Sequence, residues 1–278
     1  MKIFESSGRA AVVIPLYKES LSDSEEFSLR NTLDVLGRHD IYVIGPERLS
    51  GYLETYKKRE GFNFRLALYK NKFFDSINGY NSLMKSKHFY ESFSNYEYIL
   101  ILQTDALVFS DQLDIWCDRN YSYVGAPWFV GHDKPEKPLV FLGVGNGGFS
   151  LRKVEDFIKV LSVPRHVPYI AVLCDKKRSL VYRLVRKFIY KFVFAYNRRP
   201  LMPRVNEDAF WGMLVPRCCQ FFKVPEVEEA ASFAFEVEPR YLYVLNNRQL
   251  PFGCHAWEKY DSNFWEQVMC ERGMKLPP

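Results

Sequence analysis

The sequence predicts an α/β protein with a mostly parallel sheet flanked by helices, and three observations lead to this prediction. Residues 98–102 (YILIL) form an apolar run without polar alternation, which is typical of a strand buried on both faces. Strand-like and helix-like segments alternate over the first hundred residues, the pattern of a parallel sheet. Gln103, Thr104 and Asp105 end the run, and open α/β sheets bind ligands beyond the carboxyl ends of their strands. An aspartate there can equally cap a turn, so Asp105 alone leaves both interpretations open.

The first half of the chain supplies the elements of this sheet. The helix at 25–36 rests on the spacing of Phe27, Leu29, Leu33 and Leu36, with a glycine just beyond its end. No GxGxxG follows the first strand, so a dinucleotide-binding fold is not supported. The predicted strands are 10–16, 40–45, 63–68 and 98–102, and the predicted helices are 25–36, 49–58 and 81–93.

The second half has a less regular pattern of shorter elements. We expect a polar loop at 132–138, and a strand, a glycine-rich turn and another strand over 140–151. The other predicted elements are helices at 110–117 and 153–161, a strand at 121–124 and a carboxyl-terminal helix near 264–272.

Composition limits the class of protein. The six cysteines include no CxxC pair, so we interpret them as reduced thiols of a cytosolic protein. The amino-terminal residues lack the long apolar core of a signal peptide, and no stretch approaches the roughly 20 apolar residues of a membrane span. The aromatic content of 17% is high, and aromatic side chains often line sites for ring-shaped ligands. We therefore expect a cytoplasmic protein.

The basic charge is concentrated in residues 176–199. This segment contains nine basic residues and no acidic one, so the rest of the chain carries −4 within a total of +5. A local patch indicates a docking surface rather than general affinity for nucleic acid. On a helical wheel, Arg183, Arg186, Lys187 and Lys191 share one face and apolar residues share the other. The segment is either a peripheral anchor on the inner face of an anionic membrane or a helix packed on the domain.

Three further motifs contain residue types that suit catalysis or binding. Residues 143–148 (GVGNGG) hold four glycines, more than a hairpin turn needs, which favours a loop facing a ligand. Residues 206–208 (NED) offer a general base, although adjacent acids often only begin a helix. His255 is a candidate ligand for a divalent ion together with Asp105, although a lone histidine is more often structural. Cys254 beside it suggests zinc, but no second Cys or His pair has zinc spacing.

The order of these motifs resembles that of the GT-A glycosyltransferases. Their shared core has a DxD motif, a glycine loop, an xED motif and a carboxyl-terminal histidine, and QTD (103–105), GVGNGG (143–148), NED (206–208) and His255 occupy those places. The stretches ILQTDALVF, YVGAPW, GVGNGGFSLR and NEDAFWG are similar to a little-characterised family of GT-A-like domains in bacteria and fungi. The resemblance extends from about residue 12 to about residue 257.

The resemblance implies one GT-A-type, Rossmann-like domain over 1–278. Residues 1–110 would be its nucleotide-binding half and 111–278 its acceptor half, with a basic helical insertion at about 174–200. Asp208 would be the catalytic base, with Glu207 beside it. Asp105 and His255 would hold a divalent cation, Mn²⁺ or Mg²⁺. The donor site would comprise Pro15, Tyr17, Lys18, Asn81, Gln103, Thr104, Asp105, Gly147 and Gly148.

The implied activity is inverting transfer of a sugar from a nucleotide-sugar donor, with a UDP-sugar favoured, to a glycan or lipid-linked acceptor in cell-surface polysaccharide synthesis. Gln103 departs from the pattern, because an amide is a weaker ligand for a hard cation than the usual aspartate. Metal dependence is therefore an open question, and an inactive glycan-binding or scaffold protein of the same fold is the alternative. A nucleotidyltransferase should have a basic glycine-rich loop after the first strand, which VVIPLYKES lacks.

Overall fold

The computed structural model describes residues 8–162, 205–217 and 219–274, together with residues 179 and 181. Within this part of the chain the main sheet has six strands: β1 (Ala10–Pro15), β2 (Asp40–Pro46), β3 (Arg65–Tyr69), β4 (Tyr98–Leu102), β6 (Tyr123–Val124) and β9 (Phe149–Lys153). Their order in the sheet is β3-β2-β1-β4-β9-β6. The first four in this order are parallel, and β9 runs antiparallel to both of its neighbours. The prediction of a mostly parallel α/β sheet is confirmed.

Helices flank this sheet, and the core is divided between its two faces. Along β4, Ile99 and Ile101 join one apolar cluster, while Leu100 and Leu102 join the other. Burial on both sides explains why this strand has no polar alternation. The α-helices of the described residues are α1 (Asp23–Leu36), α2 (Ser50–Glu60), α3 (Ile77–Met84), α4 (Lys87–Ser92), α5 (Leu113–Asp118), α6 (Val154–Ser162), α7 (Glu207–Ala209), α8 (Val227–Phe233), α9 (Pro239–Leu245) and α10 (Ser262–Glu271).

The predicted helix at 81–93 is wrong as a single element, because α3 and α4 replace it. The hydroxyl of Ser76 accepts a hydrogen bond from the Gly79 N–H at the start of α3. The hydroxyl of Ser86 does the same for the Phe89 N–H at the start of α4. Serine at these positions satisfies backbone donors that a continuous helix would bond to its own carbonyls, so the chain restarts at Ser86.

Two smaller sheets lie beside the main one. One contains β10 (Ala234–Phe235), β11 (Gly253–Cys254) and β5 (Leu107–Val108), and the other pairs β7 (Pro127–Phe129) with β8 (Phe141–Val144). The glycine-rich segment after β8 therefore connects strands of different sheets, because β8 pairs with β7 and β9 pairs with β4. It is a crossing loop rather than a hairpin turn.

Two predictions remain untested by the fold. The basic insertion at about 174–200, including Arg183, Arg186, Lys187 and Lys191, lies outside the described residues apart from positions 179 and 181. The division into a nucleotide-binding half and an acceptor half stays a prediction. Among the described helices, none has the length and apolar character needed to cross a membrane.

Candidate functional site

The main sheet brings three segments to one edge. Strands β1 and β4 are parallel, so Tyr17 and Gln103, which follow them, lie at the same edge. Strand β9 runs antiparallel to β4, and its first residue, Phe149, is opposite Leu102, the last residue of β4. The loop at 145–148, which precedes β9, therefore reaches this edge as well. The Gln103 N–H donates to the carbonyl of Gly148 at 2.8 Å, which joins the QTD segment to the glycine loop.

The three-stranded sheet adds a histidine and two carboxylates. In the antiparallel pair of β11 and β5, Cys254 is opposite Leu107, so His255 comes next to Asp105. Strand β10 runs parallel to β11 with Phe235 opposite Cys254, which brings Glu236 beside His255. Strands of two residues each thus assemble three side chains that are far apart in the sequence.

The imidazole of His255 lies between these carboxylates. Its Nδ1 is 2.8 Å from Glu236 Oε1, and its Nε2 is 3.3 Å from Asp105 Oδ1 and 3.2 Å from Gln103 Oε1. Burial alone would lower the pKa of His255, but Asp105 and Glu236 outweigh it and raise the pKa to about 10. The other oxygen of Glu236 accepts from the indole N–H of Trp128 at 2.9 Å, which fixes the carboxylate that orients the ring.

The NED segment begins α7 on the other side of the loop. The Glu207 N–H donates to Asn81 Oδ1 at 2.9 Å, and the Glu207 carboxylate pairs with the fully buried Arg152 at 2.9 Å. Burial raises the pKa of Glu207, and the guanidinium opposes this rise. Burial also raises the pKa of the neighbouring Asp208, as does the negative charge of Glu236. A carboxylate with a raised pKa is a better proton acceptor near neutral pH.

Gly147 and Gly148 are required by close packing. A Cβ at Gly147 would lie 2.0 Å from Glu207 Oε1, and a Cβ at Gly148 would lie 2.0 Å from His255 Nε2. Any side chain at these positions would displace the acid or the histidine. The two glycines therefore let the loop pass between the NED segment and His255.

These groups surround a cavity of about 480 Å³. The sequence-predicted residues that line it are Tyr17, Asn81, Gln103, Gly147, Gly148, Glu207, Asp208 and His255. Four others are not part of its wall. Pro15 is buried at the end of β1, Lys18 pairs with Glu25 at 2.6 Å, and the Thr104 hydroxyl donates to Glu25 at 3.3 Å. Asp105 contacts His255 at 3.3 Å but does not line the cavity itself.

Sequence reasoning missed half of the cavity lining: Phe74, Asp75, Ser76, Ile77, Tyr80, Asn146, Asn206 and Glu236. Asn146 and Asn206 stand inside motifs that the sequence had already singled out. Residues 74–80 had been assigned no role, although a serine cap followed by an apolar helix start is a recognisable signal. Glu236 had no local signal that separates it from Glu238.

The side chains around His255 include oxygen and nitrogen atoms that suit a divalent ion. Within the described ranges no three His, Cys, Asp or Glu side chains group closely enough to hold a metal. With the amide of Gln103 included, however, Gln103 Oε1 and Asp105 Oδ1 are 3.2 and 3.3 Å from His255 Nε2. Adjacent ligands of an octahedral Mg²⁺ are about 3 Å apart, so this donor set fits a weak cation site with one amide ligand once His255 Nε2 has lost its proton.

Comparison with protein families identifies the chain. Residues 63–255 match a family described as "Protein of unknown function (DUF5672)". The chain belongs to this family. The description of DUF5672 gives no activity, and a search of curated proteins finds no match to this chain.

Solved structures show which fold this DUF5672 chain has. The galactosyltransferase LgtC, solved with donor and acceptor sugar analogues, is 9% identical with a TM-score of 0.52, covering 96% of this chain and 97% of that one. Mouse xyloside xylosyltransferase 1 is 11% identical with a TM-score of 0.50, covering 88% and 96%. The glycosyltransferase GlyE of Streptococcus pneumoniae TIGR4 is 11% identical with a TM-score of 0.46, covering 97% of this chain but 65% of its own. The similarity to LgtC and to the xylosyltransferase shows that the protein has the GT-A fold.

Proposed function

We propose that the protein is an inverting glycosyltransferase that moves a sugar from a nucleotide-sugar donor to an acceptor hydroxyl. The observation that carries this proposal is one cavity in a GT-A fold that is lined by two chemically different groups. They are the carboxylate of Asp208, whose pKa burial raises, and the imidazole of His255, whose pKa the carboxylates raise to about 10. A proton acceptor and a positive group in one cavity are what displacement of a diphosphate requires.

In this mechanism Asp208 takes the proton of the acceptor hydroxyl while the hydroxyl oxygen forms a bond to the anomeric carbon of the donor sugar. The bond from that carbon to the diphosphate oxygen breaks, and the diphosphate leaves with the electron pair. Attack from the face opposite the leaving group inverts the configuration. The His255 imidazolium stabilises the charge that develops on the diphosphate. Tyr17, an exposed aromatic side chain at the cavity, supplies a surface for the nucleotide base.

A divalent cation belongs to this proposal as a partner of the nucleotide. Asp105, the amide of Gln103 and, once its Nε2 has lost its proton, His255 would hold it, and the cation would then neutralise the diphosphate in place of the imidazolium. With only one carboxylate in the set, we expect Mn²⁺ or Mg²⁺ to bind weakly to the free protein and more tightly when the nucleotide supplies further oxygens. Manganese titrated calorimetrically into protein alone and into protein with UDP measures the difference.

The donor that we favour is a UDP-sugar, and the acceptor is a glycan or a lipid-linked sugar of cell-surface polysaccharide synthesis. The experiment is a thermal-shift screen of nucleotide sugars with and without Mn²⁺, followed by assay of donor hydrolysis. A donor at 100 times its Kd stabilises the folded state by about 2.7 kcal/mol, which is a shift of several degrees. If no nucleotide sugar raises the Tm and none is hydrolysed, the proposal is wrong.

An inactive glycan-binding protein is the second candidate, because Gln103 stands where GT-A enzymes have an acid. The contact of Gln103 with His255 at 3.2 Å keeps the amide within the site, and both acids of NED are retained. The same assays separate the two functions. Donor binding without hydrolysis or transfer, over a panel of acceptors, would favour the binding protein.

A further inference from the structure

Three buried polar atoms at the cavity have no hydrogen-bond partner in the described part of the chain. One is the hydroxyl of Tyr80, which can both donate and accept. The other two are the amide nitrogen of Asn146, a residue only 1% exposed, and Oε2 of Glu207, a residue only 4% exposed. Both residues line the cavity and both adjoin Gly147, one along the chain and one in space. A buried polar group without a partner costs about 1–3 kcal/mol, and more when it is charged, so each points to a missing ligand atom.

The orientation of the Asn146 side chain is fixed by its own oxygen. Oδ1 accepts hydrogen bonds from the N–H groups of Gly148 at 3.0 Å and of Phe149 at 3.3 Å. Exchanging the oxygen and nitrogen would set an amide N–H₂ against these two donors, so the assignment of Nδ2 is unambiguous. The backbone of Asn146 has a φ of +70°, a conformation that asparagine and aspartate tolerate better than most residues.

The Glu207 carboxylate is equally constrained. Its Oε1 accepts from the guanidinium of Arg152, which in turn donates to the hydroxyl of Tyr90 at 3.0 Å and to the hydroxyl of Ser150 at 3.0 Å. Arg152 also approaches the carbonyl of Gly147 at 3.4 Å, so it ties the acid to the loop. The carboxylate cannot rotate to find another partner without leaving the buried cation unpaired.

The chemistry of the two atoms selects a class of ligand. One is a donor and the other an acceptor, and they are not bonded to each other. A hydroxyl both accepts and donates, whereas a phosphate only accepts and an ammonium only donates. We propose that Asn146 Nδ2 and Glu207 Oε2 bind one hydroxyl of the transferred sugar and so determine which sugar the enzyme accepts. This inference rests on the proposed function and assigns Glu207 to sugar recognition, which leaves Asp208 as the base.

Monodeoxy analogues test this pair. The probes are UDP, the UDP-hexose that binds best among UDP-glucose, UDP-galactose and UDP-N-acetylglucosamine, and its monodeoxy forms. The affinity of each is measured by calorimetry with wild type, Asn146→Asp, Glu207→Gln and the double variant. A site built to bond a hydroxyl rejects an analogue that lacks it, so one monodeoxy form should bind wild type about 100-fold more weakly.

Each single substitution should reduce that discrimination to about tenfold or less, because one of the two bonds to the hydroxyl is lost. The double variant exchanges donor and acceptor, which a hydroxyl tolerates, so it should recover part of the discrimination. Asn120→Asp is the matched control, since Asn120 is exposed and also has a positive φ of 58°. Thermal melts of all variants show whether each one is folded.

The outcomes separate this inference from the function on which it rests. If the UDP-hexose binds and every variant discriminates among the monodeoxy forms as wild type does, the hydroxyl site is wrong and the transferase proposal stands. If no UDP-hexose binds more tightly than UDP, the hydroxyl site is also wrong. If nothing binds and nothing is hydrolysed, both proposals fail.

Discussion

At the scale of single residues, two neighbouring carboxylates have different surroundings. Glu207 is buried against Arg152, which holds one of its oxygens. Asp208 is less buried, and its Oδ1 accepts from the Ala209 N–H at 2.7 Å. Within the described part of the chain, Glu207 has a cationic side chain within 4 Å and Asp208 has none, so Asp208 can take a proton without breaking such an ion pair. This difference decides which acid we assign as the base.

The substitution Asp208→Asn tests that assignment. We expect kcat to fall by about 10²–10⁴, the usual contribution of a general base, while the affinity for the donor changes little. Steady-state kinetics with the donor found in the screen, together with calorimetric donor binding, measures both quantities. If the variant keeps most of its activity while Glu207→Gln loses it, the base is the preceding residue instead.

The glycine loop gives a second prediction at this scale. In Gly148→Ala the new methyl group would overlap the His255 ring, which a Cβ approaches to 2.0 Å. We expect a loss of about 1–3 kcal/mol in the free energy of unfolding and weaker nucleotide binding. Gly51→Ala is the control, because nothing lies within 4 Å of a Cβ there and alanine favours helix α2. Equal stabilities of the two variants in urea would contradict the packing argument.

Some site residues could be predicted from the sequence and others could not. Gln103, Gly148, Asp208 and His255 stand in motifs whose order is informative, and all four line one cavity. Glu236 lies in FEVE, where two acids alternate with apolar residues. Only the pairing of β10 with β11 selects Glu236, and neither strand is longer than two residues.

At the scale of elements, the long strands could be predicted from the sequence and the short ones could not. Strands β1, β2 and β4 are apolar runs of five to seven residues, long enough for burial to be visible in the sequence. Strands β5, β10 and β11 have two residues each, and their pairing is a tertiary property. The break between α3 and α4 was hidden for another reason, since the apolar spacing continues across Ser86.

Helix α3 holds the NED segment in place, which gives a prediction for Asn81. Its side chain accepts from the Glu207 N–H at 2.9 Å and donates to Asn206 Oδ1 at 3.2 Å. Asn81→Leu removes both bonds and leaves a buried N–H unsatisfied, so we expect a loss of about 1–3 kcal/mol. Ser82→Ala, on the exposed side of the same helix, should change stability by less than about 0.5 kcal/mol. Urea unfolding at constant m-value measures both, and equal losses would contradict the role of Asn81.

At the scale of the whole molecule, the raised pKa of Asp208 links function to stability. The folded protein binds this proton more readily than the unfolded chain does, so stability falls as the pH rises from about 4 through the raised pKa. Asp208→Asn removes this dependence. We expect the variant to have a higher Tm than wild type at pH 7.5, with a difference that shrinks as the pH approaches 4. A Tm difference between variant and wild type that is the same at every pH would contradict the raised pKa of Asp208.

The concentration of basic residues in 176–199 bears on where the enzyme binds its acceptor. The sequence predicts that residues 176–199 form an amphipathic helix with Arg183, Arg186, Lys187 and Lys191 on one face. If these cations contact anionic headgroups, each contributes roughly 1 kcal/mol, and four together give binding that salt weakens. A lipid-linked acceptor would then be confined to the same surface as the enzyme. A helix whose apolar face packs on the domain gives no preference for lipid.

Co-sedimentation with vesicles separates these alternatives. Wild type should pellet with vesicles that contain anionic lipid at low salt, and less so at high salt, because the attraction is electrostatic. The variant with glutamine at 183, 186, 187 and 191 should stay in the supernatant, and vesicles of neutral lipid are the control for both proteins. Equal pelleting of the two proteins, or none by either, would contradict membrane attachment. That result would leave the transferase proposal intact, because the residues assigned to the cavity lie outside the segment 176–199.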